Sequence, residues 1–70
     1  MVASAESIRV GEVYGVAAHP YLRWTVVGIA AEAGAVANVT LRSSADPAVE
    51  RVIAAPVLQN PARFTRLAAA

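Results

Sequence analysis

The side chains that could carry out acid–base or nucleophilic chemistry are few in this chain. The sequence contains one His, one Asp, four Glu and no Cys. A Ser-His-Asp triad needs His19 together with Asp46 or a glutamate, and no Gly-x-Ser-x-Gly turn presents a nucleophilic serine. His19 is the one side chain with an unperturbed pKa near neutrality, but no nucleophile or orienting carboxylate lies near it in sequence. We therefore expect a protein that is not an enzyme, with His19 in an exposed loop.

Residues for binding metals or cofactors are also missing. Without Cys there is neither a thiolate ligand for zinc nor a disulfide, and His, Asp and Glu do not cluster at metal-ligand spacing. The four glycines, at positions 11, 15, 28 and 34, are too far apart for a loop that cradles phosphate. We expect no metal and no cofactor.

All six basic residues are Arg, and five acidic residues leave a formal net charge of +1. The strong basic surplus typical of nucleic-acid-binding proteins is therefore absent. Either a coding bias explains the Arg, as the 17 Ala also indicate, or Arg serves for bidentate contacts with phosphate or carboxylate. Arg42 and Arg51 are expected close together across a hairpin, and Arg63 and Arg66 flank Phe64. The alternative is solvated Arg paired with acids such as Glu32 and Glu50.

Four aromatic residues are candidates for contact with a partner. In a chain this small, Trp24 and Phe64 are expected mainly in the core, whereas Tyr21 follows a His-Pro pair in a predicted loop and suits either role. The predicted partner-binding residues are Tyr14, Tyr21, Trp24, Arg23, Arg42, Arg51 and Arg63.

These residues lie on short segments of β-type composition. β-Branched residues and glycines argue against a long helix in the longest proline-free stretch. Residues 23–31 are apolar on both faces, which predicts a central strand. In residues 36–43, buried Ala37, Val39 and Leu41 are expected to alternate with polar residues. The predicted strands span residues 8–14, 23–31, 36–43, 50–54 and 64–67.

The connections between these strands carry turn signals. Residues 15–22 predict a loop of about eight residues, and residues 31–35 predict a tight turn with Gly34 in the left-handed conformation. Asp46-Pro47 and Asn60-Pro61 each predict a short capped helical turn. In the fourth strand, whether Val52 or the Arg51 and Ile53 pair faces inward stays open.

The succession of these features resembles small bacterial and phage SH3-like proteins. The resemblance covers residues 8–67 and implies an all-β, small five-stranded SH3-like barrel with one or two short helical turns, but almost no particular activity. The chain also resembles KOW-type domains, a nucleic-acid-associated SH3-like group, without their basic loop and Lys content. The residues that carry the resemblance are Val10-Gly11-Glu12-Val13-Tyr14, Trp24-Thr25-Val26, Val39-Thr40-Leu41, Asp46-Pro47, Arg51-Val52-Ile53, Leu58 and Arg63-Phe64.

The chain of 70 residues is expected to form a single domain over residues 7–67, between flexible termini at 1–6 and 68–70. Its core is thin at this length, so self-association is a further expected source of stability.

Neither a signal peptide nor an apolar run of ~20 residues is present, which favours a cytoplasmic or virion-associated protein. We expect a non-enzymatic protein-binding or assembly accessory module, a subunit of a larger bacterial or phage complex. The alternative is a KOW-like nucleic-acid or ribosome-associated domain.

Overall fold

In the computed structural model, which describes residues 8–30 and 36–69, the chain forms one antiparallel sheet of five strands. The sheet has the order β4-β3-β2-β1-β5, and its two edge strands do not pair with each other, so it stays open. The all-β class predicted from the sequence is confirmed. The elements are β1 (Val13–Val16), β2 (His19–Ala30), β3 (Asn38–Ser43), β4 (Glu50–Ala54), α1 (Ala55–Leu58) and β5 (Phe64–Ala68).

β1 begins later than the sequence predicted because the chain turns just before it. The N–H of Glu12 donates to the carbonyl of Arg9 at 3.1 Å, and Gly11 has a φ of 99°, which favours glycine. The turn is still attached to β2, because Gly11 N–H donates to the carbonyl of Val26 at 2.8 Å. The apolar pattern at residues 8–14 therefore contains a turn followed by a strand.

A tight turn joins β1 to β2, and the predicted loop of about eight residues is wrong. Val16 lies opposite His19, so only two residues form the turn. The next pair is Gly15 opposite Arg23, which leaves residues 20–22 of β2 without partners on β1. The His-Pro pair that indicated a loop fits this irregular stretch, because Pro needs no ladder N–H there.

β2 is the central strand, as its composition predicted, and it contains a bulge. Val26 lies opposite Leu41, but the register shifts before Gly28, and Ile29 then lies opposite Val39. Ile29 consequently packs against the core. Strict alternation along residues 23–31 predicts that Ile29 faces away from Val26, and this is wrong beyond the bulge because one extra residue reverses the facing of every later side chain.

The core lies on one face of the sheet. The predicted period of β3 is confirmed by the burial of Ala37, Val39 and Leu41. On β4, Ile53 lies opposite Val39 and packs against the core, whereas Val52 is 64% exposed. Arg51 and Ile53 therefore share the inward face. The buried apolar residues are Ile8, Tyr14, Trp24, Val26, Ala37, Val39, Leu41, Ala55 and Leu58.

The helix α1 lies earlier in the chain than the helical turn predicted at Asn60-Pro61. Pro56 occupies its first turn, where a missing N–H needs no partner, and Ala55 and Leu58 are buried. The turn predicted at Asn60-Pro61 is nevertheless present, because Asn60 accepts a hydrogen bond at Oδ1 from the N–H of Ala62 at 3.0 Å. The carbonyl of Asn60 accepts from the N–H groups of Arg63 and Phe64 at 3.0 Å, so Asn60 caps a single turn in which Pro61 is the first residue.

The other predicted turn, at Asp46-Pro47, is also present as a single capped turn. Oδ1 of Asp46 accepts from the N–H of Ala48 at 3.1 Å, and its carbonyl accepts from Val49 N–H at 2.9 Å. The Asp46 side chain therefore caps the turn, and the chain continues into β4 without a longer helix.

Some predictions concern residues outside the described parts of the chain. These are the turn at residues 31–35 with Gly34, the pairing of Glu32, and the terminus at residues 1–6. At the other end, Ala68 pairs with Val13 and belongs to β5.

Candidate functional site

A groove of about 310 Å³ lies beside the edge strand β4. Its lining comes from β4, α1, the β1–β2 turn and the start of β5, so it gathers residues far apart in sequence. Most of these are apolar, and two are arginines. The lining residues are Val16, Ala17, Ala18, Arg51, Ile53, Val57, Ala62, Arg63 and Phe64.

Backbone hydrogen bonds hold one wall of this groove. Ala17 N–H donates to the carbonyl of Arg63 at 2.9 Å, which joins the β1–β2 turn to the segment before β5. The N–H groups of Arg63 and Phe64 both donate to the carbonyl of Asn60 at 3.0 Å. Val16 lies opposite Phe64 in the β1–β5 ladder. The wall is therefore fixed by the main chain and does not depend on exposed side chains.

Arg51 is placed at the groove by an aromatic contact. Its guanidinium carbon lies 5.9 Å from the ring centroid of Trp24, within the range of a cation–π interaction. Trp24 is only 7% exposed, so the ring is a fixed platform from the core. Within the described part of the chain neither Arg51 nor Arg63 forms an ion pair, which leaves two guanidinium groups at the groove for a ligand.

The other arginines are arranged differently. Arg42 donates to Oε2 of Glu50 from Nη2 at 2.7 Å and from Nε at 3.0 Å, so the paired alternative holds for this residue. Arg42 lies opposite Glu50 and Arg51 lies opposite Leu41. Because successive side chains of a strand point to opposite faces, Arg42 and Arg51 do not lie side by side as predicted. Arg23 is exposed on the face away from the core.

A buried carboxylate on the core side escaped the sequence analysis. Glu12 is 2% exposed, and its Oε1 accepts from Arg9 N–H at 2.8 Å and from the hydroxyl of Tyr14 at 3.2 Å. Its Oε2 accepts from Nη1 of Arg66 at 3.1 Å. Arg66 is 54 residues away in sequence, so no local pattern could reveal the pair. The only signal was an acid inside an apolar segment.

The pKa values of this cluster follow from its contacts. Burial alone raises the pKa of Glu12, but the hydrogen bonds from Arg9, Arg66 and Tyr14, with the charge of Arg66, lower it by more. The net pKa of Glu12 is below its ordinary value. Burial and the neighbouring Glu12 charge raise the pKa of Tyr14. Because both carboxylate oxygens are already bonded, the cluster acts as a structural anchor.

A second cleft, of about 330 Å³, borders this cluster. Tyr14, Leu58, Phe64 and Arg66 are among its lining residues. The guanidinium of Arg66 already pairs with Glu12, so this cleft offers less charge to a ligand than the groove beside β4.

The structure distributes the predicted partner-binding residues over three locations. Tyr14 and Trp24 are buried in the core. Arg51 and Arg63 both line the groove, together with half-buried Phe64. The other three predicted partner-binding residues are exposed elsewhere on the surface and are Tyr21, Arg23 and Arg42.

Tyr21 forms an exposed pair with His19. The rings are T-shaped with centroids 5.8 Å apart, and the Tyr21 hydroxyl lies 3.3 Å from Nδ1 of His19. Tyr21 is 78% exposed. Only the adjacent irregular stretch of β2 positions this pair, so it is a surface feature independent of the groove.

The described residues contain no group of three or more His, Asp or Glu that could hold a metal ion. In the same part of the chain, no helix has the length and apolarity to cross a membrane. No protein-family model, curated protein or solved structure matches the chain significantly. Fold and site together define a small all-β protein with an open five-stranded sheet and an apolar groove flanked by two arginines.

Proposed function

We propose that this chain is a small protein-binding module without catalytic activity, an accessory subunit of a larger bacterial or phage assembly. The observation that carries the proposal is the groove beside β4. It joins an apolar surface to two guanidinium groups, of Arg51 and Arg63, that form no ion pair in the described part of the chain.

The chemistry of the groove favours an extended segment of another protein with apolar side chains and at least one acidic residue. Val16, Ile53 and Val57 offer apolar contact. A carboxylate between the two arginines gains charge-assisted, bidentate hydrogen bonds. Because Arg51 already stacks on Trp24, ordering its side chain costs less entropy on binding.

We propose in addition that the module is SH3-like, and the strand order supports this. A five-stranded antiparallel sheet in the order β4-β3-β2-β1-β5, with a short helix before the last strand, is similar to the SH3-like arrangement. The β1–β2 turn is shorter than the long first loop on which that resemblance partly rested. Recognition of a peptide would therefore depend on β4 and the start of β5, which is where the arginines lie.

Affinity purification of the tagged full chain from its native lysate, with nuclease treatment, tests the proposal. We expect protein partners that survive nuclease and are depleted at least about 10-fold by Arg63→Glu, since the reversed charge repels an acidic segment. Arg23→Glu is the matched control, because Arg23 is exposed on the opposite face of the sheet. Equal depletion by both variants, or partners unaffected by Arg63→Glu, would contradict the groove as the binding site.

A second candidate function is KOW-like binding of single-stranded nucleic acid. The exposed Tyr21 ring offers a stacking surface, and Arg23 lies two residues further along the same strand. This alternative requires affinity that falls steeply between about 50 and 200 mM salt and a loss on Tyr21→Ala. Partners that disappear with nuclease would favour it over the protein-binding module.

A further inference from the structure

The edge strand β4 is regular, unlike β5 at the other edge of the sheet, and among the described strands only β3 pairs with it. Its pairing with β3 runs from Glu50 to Ala54 without a register shift. β5 carries a bulge at Leu67, because Val13 pairs with Ala68 whereas Tyr14 pairs with Arg66. Bulges, Pro, Lys and inward-pointing charges are among the devices that prevent edge-to-edge pairing. β4 contains no bulge, Pro or Lys, and its one inward-facing charge, Arg51, lies over the Trp24 ring.

The direction of the backbone groups on β4 follows from the two ends of its ladder. Ser43 N–H donates to the carbonyl of Val49 at 3.0 Å, and Ala55 N–H donates to the carbonyl of Ala37 at 2.9 Å. In an antiparallel pair, residues that exchange hydrogen bonds alternate with residues that do not. This alternation therefore tells which backbone groups between Val49 and Ala55 bond to β3 and which point to the free edge.

By this alternation, Arg51 and Ile53 direct their N–H and C=O groups toward β3. Glu50, Val52 and Ala54 direct theirs away from it, toward the free edge. The carbonyl of Ala54, the N-cap residue, belongs to the first turn of α1, so Ala54 offers its N–H alone. The free edge of β4 thus presents a short row of donors and acceptors with which no described strand pairs.

We propose that β4 pairs with β4 of a second copy of this chain, antiparallel and centred on Val52. In that register the two Val52 residues exchange both of their backbone hydrogen bonds. The N–H of each Ala54 donates to the carbonyl of Glu50 in the other copy. The two sheets then continue as one across a two-fold axis.

Charge disfavours the two registers that are shifted toward the start of β4. With Val52 at the centre, Glu50 lies opposite Ala54 and Arg51 lies opposite Ile53, so no like charges face each other. Centring the pair on Arg51 would place two guanidinium groups opposite each other, and centring it on Glu50 would oppose two carboxylates. Like charges directly opposite destabilise an antiparallel pair.

Burial of Val52 gives the pairing its apolar contribution. Val52 is 64% exposed in the single chain, and its side chain would pack directly against Val52 of the second copy. A chain of 70 residues has a thin core, so added apolar contact is a meaningful share of its stability. This interface goes beyond the proposed partner binding and is measured on the purified protein alone.

Sedimentation of the full chain over about 1 µM to about 1 mM, which spans weak affinities, tests the pairing. We expect a monomer–dimer equilibrium whose dissociation constant rises about 10-fold or more in Val52→Lys, because two lysines then face each other. Leu67→Lys is the control, since Leu67 is an exposed apolar residue on the other edge strand. A wild-type monomer at every concentration, or equal effects of the two variants, would overturn the proposal.

Two further variants test the register itself. Ala54→Lys places a cation opposite Glu50 of the second copy and should tighten the dimer, whereas Ala54→Glu should weaken it. The chain has no Cys, so Val52→Cys should form a cross-linked dimer faster than Leu67→Cys. The spacing of directly opposed residues in a hydrogen-bonded pair, about 5.5 Å, suits a disulfide. Equal cross-linking of the two Cys variants would contradict the predicted centre at Val52.

Discussion

At the scale of single residues, the buried carboxylate of Glu12 joins the two ends of the described chain. It accepts hydrogen bonds from Arg9 before β1, from Tyr14 within β1 and from Arg66 on β5. A buried acid is costly unless its oxygens are satisfied, and here both are. The side chain of Arg66 is 56% exposed, so solvent screens its charge and the buried hydrogen bonds contribute more than the ion pair.

Glu12→Gln should therefore destabilise the protein by about 1.5–3 kcal/mol near neutral pH, because hydrogen bonds to a charged acceptor are lost at a buried site. Urea unfolding followed by circular dichroism measures this change. Glu50→Gln is the matched control. Its carboxylate is 43% exposed and pairs with Arg42 on the surface, so we expect a loss below about 1 kcal/mol.

The loss of stability caused by Glu12→Gln should depend on pH. The pKa of Glu12 is lower in the folded than in the unfolded state. The stabilisation of the fold by the ionised Glu12 carboxylate is therefore complete at pH values above the ordinary Glu pKa. That contribution is lost as the pH falls through the folded-state value. The stability difference between wild type and Glu12→Gln should therefore shrink from about pH 7 to about pH 3. A constant difference over this range would contradict the anchoring role of the charge.

At the scale of elements, α1 depends on the core for its existence. A helix of four residues is far too short to be stable alone, and its N-cap residue makes no side-chain hydrogen bond. Ala55 and Leu58 are buried, and they join α1 to the sheet. Because Val57 of the same helix lines the groove, the packing of Leu58 also positions part of the candidate site.

Leu58→Ala should destabilise the protein by about 2–5 kcal/mol, since a side chain that is 1% exposed leaves a cavity in a thin core. Thermal unfolding measures the effect as a lowered Tm. Leu67→Ala removes the same atoms from a residue that is 48% exposed and should cost much less. Similar losses for the two variants would show that α1 is not anchored through Leu58.

At the scale of the whole molecule, the open sheet divides the chain into a protected centre and two accessible edges. β1, β2 and β3 each lie between two strands, whereas β4 and β5 each have one neighbour among the described strands. The groove and the proposed self-pairing both lie at the β4 edge. Binding and assembly would therefore both use an edge strand, which has one side free for pairing.

Amide hydrogen exchange in dilute protein should follow this division. The N–H of Val26, bonded to the carbonyl of Glu12 at 2.9 Å in the centre of the sheet, should be protected by about 10²–10⁴, near the global stability of a small domain. The N–H of Val52, directed to the free edge, should exchange almost without protection. Strong protection of Val52 in the monomer would show that the sheet closes at β4.

Much of this fold was predictable because strand patterns are local. The alternation over residues 36–43, the apolar composition of β2 and the bounds of β4 all emerge from neighbouring side chains. The absence of Cys and the small number of His and Asp residues likewise limit the available chemistry through composition alone. These properties depend on residue type and short spacing, and the sequence by itself determined them.

Only the tertiary structure decided the strand register, the tight turn and the long-range residue pairs, because these features depend on contacts between distant parts of the chain. The bulge that turns Ile29 inward comes from the pairing of β2 with β3. The two-residue turn before His19 comes from the pairing of β1 with β2. The Glu12–Arg66 bond and the groove that Val16 lines together with Arg51 join residues that are far apart in sequence. Composition determined which side chains are present, and packing determined which of them meet.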